Sequence, residues 1–299
     1  MGLKNSFEKK SFIATCELSP PKGNNPQKLI QRAKELKSLE IIDAVNITDG
    51  QASKMRMSSV ISSYLVQSKA SLETICQLVS RDKNKIALQA DILGASALGI
   101  KNYLCLTGDQ ANTGDHPDAK EVFELSTDQL ISIFSSFSEN KDLNFNNLDQ
   151  EHDCSFDYFL ASAAHPGLED LDSQTKKMKK RFSQKVSFFQ TQIVYDLEQL
   201  NLFAQALEKE NLKKFTLVGI TPIKSLKMAQ FLDQKVYGVS VPDNLMQKIK
   251  NSVTPQKEGL AYTKTLIQEI KRLKFKGVHL MPIGFENQLS SIIRNLFDL

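Results

Sequence analysis

The sequence predicts a single α/β domain over residues 1–299, a (β/α)8 TIM barrel with extra helices and a long loop after its fourth strand. Three observations predict it. Eight short runs rich in Val, Ile and Phe recur along the 299 residues, each followed by a segment of helical period, the pattern of repeated βα units. No linker rich in Pro, Gly or Ser divides the chain, and its length suits a barrel of this kind, typically ~250 residues or more. No strand-to-helix turn carries a GxGxxG, and an open doubly wound sheet usually has fewer strands, which disfavours a Rossmann fold.

The strand runs, in order, are 12–18, 43–49, 72–79, 102–108, 157–164, 188–194, 215–221 and 278–284. Helical segments follow at 26–38, 57–67, 83–98, 126–137, 170–184, 197–210, 224–234 and 286–297, with extra ones near 243–250 and 256–273. Pro26, after two asparagines, suits a first helical turn. Between residues 81 and 99, Ile86, Leu93 and Leu98 share one flank with alanines, and Gly99 reads as a helix stop. The stretch 110–156 is polar and rich in Asn and Asp, and reads as a long βα loop, a helix and a surface loop.

Composition removes several function classes. Lys and Arg total 38 against 34 Asp and Glu, and a net charge of +4 is too weak an argument for nucleic acid. No apolar run approaches the ~18–20 residues of a membrane span. The start, MGLKNSFEKKSF, has no apolar core of a secretory signal, so a cytoplasmic protein is expected. Cys16, Cys76, Cys105 and Cys154 are far apart without a CxxC pair. Three of them lie in apolar runs, which suits buried reduced thiols better than disulfides or zinc. No close set of His, Asp and Glu offers three metal ligands, and His152 and Cys154 read as loop rather than metal site.

In such a barrel the chemistry lies at the C-terminal ends of the strands. There the sequence places Glu17, Thr48 and Asp49, Gln77, Thr107-Gly108-Asp109, His165, Gln192, Thr221-Pro222 and Met281-Pro282. No Ser-His-Asp order and no Gly-rich phosphate cradle is among them. What remains is a polar pocket with carboxylates, suited to proton transfer and to hydrogen-bonding a flat heteroaromatic ring. Glu17 interrupts an apolar strand and precedes LSPPKG; loss of hydration there favours the protonated carboxyl that a general acid needs. An edge-of-core Glu paired with Lys or Arg is the alternative. Gly108 lets backbone approach a ligand ring, and Asp109 can accept from ring N–H groups. A plain tight turn is the alternative there. His165-Pro166 reads as a ligand contact or as a strand-ending loop, and inward-facing Gln77 and Gln192 must find partners. The basic run 176–181 reads as a solvated helix face from which Arg181 could reach a phosphate at the rim.

These residues sit in blocks that resemble the methylenetetrahydrofolate reductase family. The blocks are CELSPPKG (16–23), DAVNITDGQASKMRMSS (43–59), CQLVSRDKNKIALQADILGASALGIKN (76–102) and LCLTGDQANTGDHPDAKEVFEL (104–125). FFQTQIVYD (188–196), VGITPIKSLKMAQFL (218–232) and GVHLMPIG (277–284) follow in the same order. The resemblance implies a barrel that binds FAD at its mouth and uses NADH or NADPH to reduce 5,10-methylenetetrahydrofolate to 5-methyltetrahydrofolate for methionine synthesis. It implies that Glu17 is the catalytic acid that opens the imidazolidine ring. Asp109 would lie near the flavin and the pterin, Gln192 would contact the pterin, and Leu226 would pack on substrate or nicotinamide. Thr48, Gln77, Thr107, Gly108, Ala161, His165 and Arg181 fall at positions associated with FAD. Arg181 stands where many members have Lys, and Gln77 replaces a histidine seen in some. Members commonly self-associate, so a homo-oligomer is expected, and the length matches the catalytic barrel without the regulatory domain of larger eukaryotic enzymes.

Two other classes remain. One is a folate- or flavin-binding barrel that works only within a complex. The other is a methyltransferase that binds methyltetrahydrofolate without reducing anything. Flavin colour, bleached by NAD(P)H and restored by methylenetetrahydrofolate, separates the first reading from both.

Overall fold

Side chains that alternate between two environments build the barrel wall. The computed structural model describes residues 2–149, 156–167 and 170–299. Its strands are β1 (Ile13–Leu18), β2 (Ala44–Ile47), β3 (Thr74–Val79) and β4 (Asn102–Leu106), then β5 (Phe159–Ala164), β6 (Phe188–Ile193), β7 (Thr216–Ile220) and β8 (Gly277–Leu280). They pair in chain order, all parallel, and β8 closes on β1 through Thr15 opposite His279. Each falls on an expected run. Successive strand residues point to opposite faces. Ala14, Cys16, Val45, Ile47, Cys76, Leu78, Tyr103 and Cys105 therefore join the layer under the helices. Ile13, Ala44, Ile75, Leu104, Ala161, Phe188 and Leu217 meet inside as an apolar floor.

Cys16, Cys76 and Cys105 are buried free thiols, as expected. Burial pushes the Cys76 thiol up to about 12, which keeps it protonated and unreactive. Cys154 and His152 lie outside the described residues.

One helix is absent from the sequence expectation. α1 (Leu3–Lys9) is short, and only Leu3 and Phe7, spaced i and i+4, mark its apolar side. Those two side chains close the barrel floor. The Phe7 ring lies 4.8 Å from that of Phe188 and 5.2 Å from that of Phe159. Phe7→Ala is therefore expected to cost about 2–3 kcal/mol, the low end for a large aromatic because Phe7 is half-buried. A urea midpoint unchanged by this substitution would show that α1 is only appended.

The remaining helices follow the strands: α2 (Gln27–Ser38), α3 (Ser59–Ala70), α4 (Lys85–Ala97), α5 (Thr127–Ser138), α6 (Leu171–Ser183) and α7 (Leu197–Lys209). α8 (Leu226–Lys235), the extra pair α9 (Asp243–Asn251) and α10 (Pro255–Arg272), and α11 (Leu289–Phe297) complete the set. Local chemistry fixes several starts. The Asn84 side chain caps α4, and Ser126 with Gln129 forms a reciprocal capping box on α5. Pro26 immediately precedes α2, where its missing N–H costs nothing. The apolar flank read for α4 is not its buried one: Ile86, Leu93 and Leu98 are exposed, and Leu88, Ile92 and Ala95 are buried. α4 is apolar on both sides, so periodicity could not choose between them. Among the described residues no helix is long and apolar enough to cross a membrane.

Candidate active site at the barrel mouth

Glu17 follows the inward parity of Ile13 and Thr15 and ends one step above the barrel waist. Its side chain is 13% exposed. Gln77 Nε2 donates to Oε1 at 3.2 Å, and Gln51 Nε2 donates to Oε2 at 3.3 Å. Gln51 in turn accepts from the Ser19 hydroxyl at 3.0 Å. Among the described residues no Lys or Arg pairs with Glu17, so the edge-of-core alternative does not hold. The carboxylate is held by two neutral amides inside the cavity. Gln51 was not expected there; it lies on a single 3-10 turn, Gln51–Ser53, in the loop after β2.

Directly below lies a polar layer. Thr15, Asn46, Gln190 and His279 are all buried. Asn46 Nδ2 donates to Gln190 Oε1 at 2.7 Å, and Thr15 Oγ1 lies 2.9 Å from His279 Nδ1. His279 Nε2 is 3.8 Å from Glu17 Oε1. The sequence reading passed over all four.

After β2 and after β5 the mouth holds unmet hydrogen-bonding capacity. Thr48 Oγ1 and His165 Nδ1 are buried without a partner among the described residues. Burial, with the charges of Lys177 and Arg181 nearby, lowers the His165 pKa and keeps its ring neutral. Thr107 Oγ1 shares a 2.8 Å hydrogen bond with Thr127 Oγ1. Gly108 has φ +93°, and a Cβ there would lie 3.2 Å from Arg81 Cβ and 3.3 Å from Val79 Cβ. The turn thus requires glycine, whose bare side packs against Arg81 and Val79. Asp109 is exposed, and its main-chain carbonyl accepts from Ser53 Oγ at 2.9 Å and Arg81 Nη1 at 3.3 Å.

Arg81 is the positioning residue that sequence reasoning missed. It is buried; Nε and Nη2 hold Asp82 at 2.7 and 2.5 Å, and Nη1 reaches Gly50 O and Ser53 Oγ. One guanidinium thereby ties the loops after β2, β3 and β4 together. Asp49, at the end of β2, accepts from Val79 N and pairs with Lys83, which also pairs with Asp91. Burial disfavours the Lys83 ammonium, but these two carboxylates hold its pKa above the ordinary lysine value. Lys22 and the Met55 N–H both meet Asp115, whose carboxyl their hydrogen bonds hold well below the usual range. A Cβ on Gly114 would sit 1.8 Å from Ser53 O, so the β4 loop lies directly on the β2 loop.

The other expected site residues fall in two groups. Gln192 is half-buried at a register shift between β6 and β7, with its Oε1 accepting from Ile193 N at 3.0 Å. Such irregularities re-aim side chains beside active sites. Leu226 opens α8 and packs against the buried cluster to which Ile193, Tyr195 and Ile223 belong. Ala161 and Arg181 are not brought to the mouth. Strand register places Ala161 in the apolar floor beside Leu104 and Phe188. Arg181 lies behind β5, where Nε pairs with Asp128 at 2.8 Å and Nη1 donates to Ser162 Oγ at 2.8 Å and Ala163 O at 3.3 Å. Ser162 is on the outward face of its strand, so this guanidinium is engaged away from the cavity.

The family model for methylenetetrahydrofolate reductase matches residues 2–297. The chain belongs to the methylenetetrahydrofolate reductase family. Methylenetetrahydrofolate reductase 1 of Schizosaccharomyces pombe is 20% identical over 96% of this chain and 46% of its own length. Methylenetetrahydrofolate reductase 2 of the same yeast is 21% identical over 84% of this chain and 40% of its own. The chain thus spans less than half the length of these relatives. Among solved structures, an uncharacterized Clostridium thermocellum protein that binds two copies of 5-methyl-5,6,7,8-tetrahydrofolic acid superposes with a TM-score of 0.66. It is 17% identical, with 99% of both chains covered, and shares the fold of this chain.

Proposed function

We propose that this chain is a flavin-dependent methylenetetrahydrofolate reductase that converts 5,10-methylenetetrahydrofolate to 5-methyltetrahydrofolate with electrons from NADH or NADPH. The observation that carries the reading is Glu17, turned into the cavity and held by Gln77 and Gln51, with no Lys or Arg paired to it among the described residues. The residues present fit FAD. Thr48 Oγ1 and His165 Nδ1 are buried and, among the described residues, without a hydrogen-bond partner. Thr48, Gln77, Thr107, Gly108, Asp109 and His165 are the residues that would hold it. Bound FAD supplies hydride transfer between nicotinamide and folate, so no separate nicotinamide domain is needed.

The chain's own work is binding and proton transfer. Gln192 and Asp109 would orient the pterin, with Leu226 as an apolar side. Protonated Glu17 gives its proton to the substrate's N10 as the bond from N10 to the bridging carbon breaks, leaving an iminium at N5. The carboxylate formed then keeps both amide donors, which stabilise charge where it develops. Methyl groups made this way would feed methionine synthesis in the cytoplasm.

Steady-state kinetics test the reading. Varying NAD(P)H against methylenetetrahydrofolate should give parallel double-reciprocal lines, because the two substrates react in turn. Intersecting lines would exclude that order. Binding of 5-methyltetrahydrofolate with no turnover would favour a folate-binding or methyl-transferring barrel instead.

A further inference from the structure

We infer that Gln190 is a positioning residue that fixes the ring proton of His279 on Nε2, the nitrogen facing Glu17. The inference deepens the proposed reading, since its consequence for catalysis rests on Glu17 being the proton donor.

Four polar side chains fill a layer that bulky aliphatic residues usually occupy in such barrels. Thr15 and Asn46 are fully buried, and Gln190 and His279 are 3% exposed. Buried polar groups at that depth stabilise a fold only when each is satisfied. The donors and acceptors can therefore be followed one by one. Asn46 Nδ2 donates to Gln190 Oε1 at 2.7 Å, and Gln190 Nε2 returns a hydrogen to Asn46 Oδ1 at 3.1 Å. This reciprocal pair uses one Gln190 N–H. The second N–H faces Thr15 Oγ1 at 3.2 Å and His279 Nδ1 at 3.3 Å. A hydrogen on Nδ1 would face this N–H donor to donor, and Val278 O, the other acceptor open to the Thr15 hydroxyl, lies farther away at 3.5 Å. Thr15 accepts it and passes its own hydroxyl hydrogen to His279 Nδ1 at 2.9 Å. With Nδ1 an acceptor, the proton of the neutral ring sits on Nε2.

His279 Nε2 lies 3.8 Å from Glu17 Oε1, too long for a direct hydrogen bond but close enough for the N–H dipole to act on the carboxylate. That dipole meets the charge that develops on Glu17 as its proton is given up. The opposite tautomer would present a lone pair and hold the proton back. Gln190 thus acts on Glu17 through Thr15 and His279, without touching substrate.

The test is the 15N spectrum of the full chain labelled at histidine. The sequence has four histidines, and His279→Asn assigns the signal. Nitrogen shifts and long-range couplings separate a protonated ring nitrogen from an unprotonated one. The expected result is protonated Nε2 and unprotonated Nδ1. Gln190→Glu replaces the amide donor with an acceptor and should move the proton to Nδ1. Gln190→Leu removes both functions and should give a mixture, which keeps the test open if the first variant does not fold. Folate reduction should fall about tenfold in Gln190→Glu with folate affinity unchanged, a fraction of what a general acid contributes. A wild-type ring protonated on Nδ1, or the same tautomer in all three proteins, overturns the inference. If the tautomer moves as expected but the wild-type protein reduces no folate, the reductase reading fails and the positioning role stands.

Discussion

Glu17→Gln is expected to lower folate reduction by about 10²–10⁴-fold, the usual worth of a positioned general acid, while reduction of bound flavin by NAD(P)H stays nearly intact. The substitution keeps size and removes only the transferable proton. Gln77 Nε2 and Gln51 Nε2 both donate to the native carboxylate. An amide at position 17 offers one oxygen, so one neighbouring amide must rotate, a cost of about 1 kcal/mol that leaves the fold intact. The two half-reactions are measured separately by rapid mixing without air. Equal losses in both would assign Glu17 to cofactor binding rather than proton transfer.

Asp128→Asn is expected to destabilise the protein by about 3 kcal/mol, because it strips the partner from a buried guanidinium. Asp128 opens α5 and meets Arg181 Nε and Lys180 Nζ, each at 2.8 Å. The Arg181 side chain is only 8% exposed, whereas Lys180 is in solvent and contributes little. Burial raises the Asp128 pKa, but hydrogen bonds from Lys180 and Arg181 outweigh it and hold the folded value below that of a free carboxyl. A depressed carboxylate pKa contributes stability that is fully present above the unfolded value, about 3.9, and is lost as pH falls through the folded value. Urea midpoints of wild type and variant should therefore differ by a constant amount at neutral pH and converge in strong acid. A gap that persists in acid would mean that packing, not charge, links α5 to α6.

Much of this was legible because barrel strands carry two signals at once. The period-2 alternation that buries Ala14 and Cys16 outward sends Thr15 and Glu17 inward, and a polar residue ending an apolar run marks the mouth. Glu17, Thr48 and Gln77 were readable for that reason. The waist was readable by the same rule and was passed over. Thr15, Asn46 and Gln190 stand two positions before Glu17, Thr48 and Gln192, and His279 lies on β8 beside them. Arg81 was hidden for a different cause: a loop arginine shows no periodicity, and only the folded loops reveal that it turns inward to Gly50 and Asp109. Ala161 came from resemblance alone and Arg181 from resemblance together with its basic run, and register and ion pairing set them apart from the cavity. α1 escaped because two apolar residues make no period.

The absorbance spectrum of the full chain, as purified and after incubation with FAD, tests the central claim most directly. A flavin reductase shows stoichiometric flavin bands between the near-ultraviolet and the blue, bleached by NADH or NADPH without air and restored by 5,10-methylenetetrahydrofolate. A protein that stays colourless with FAD yet still binds a folate contradicts the account.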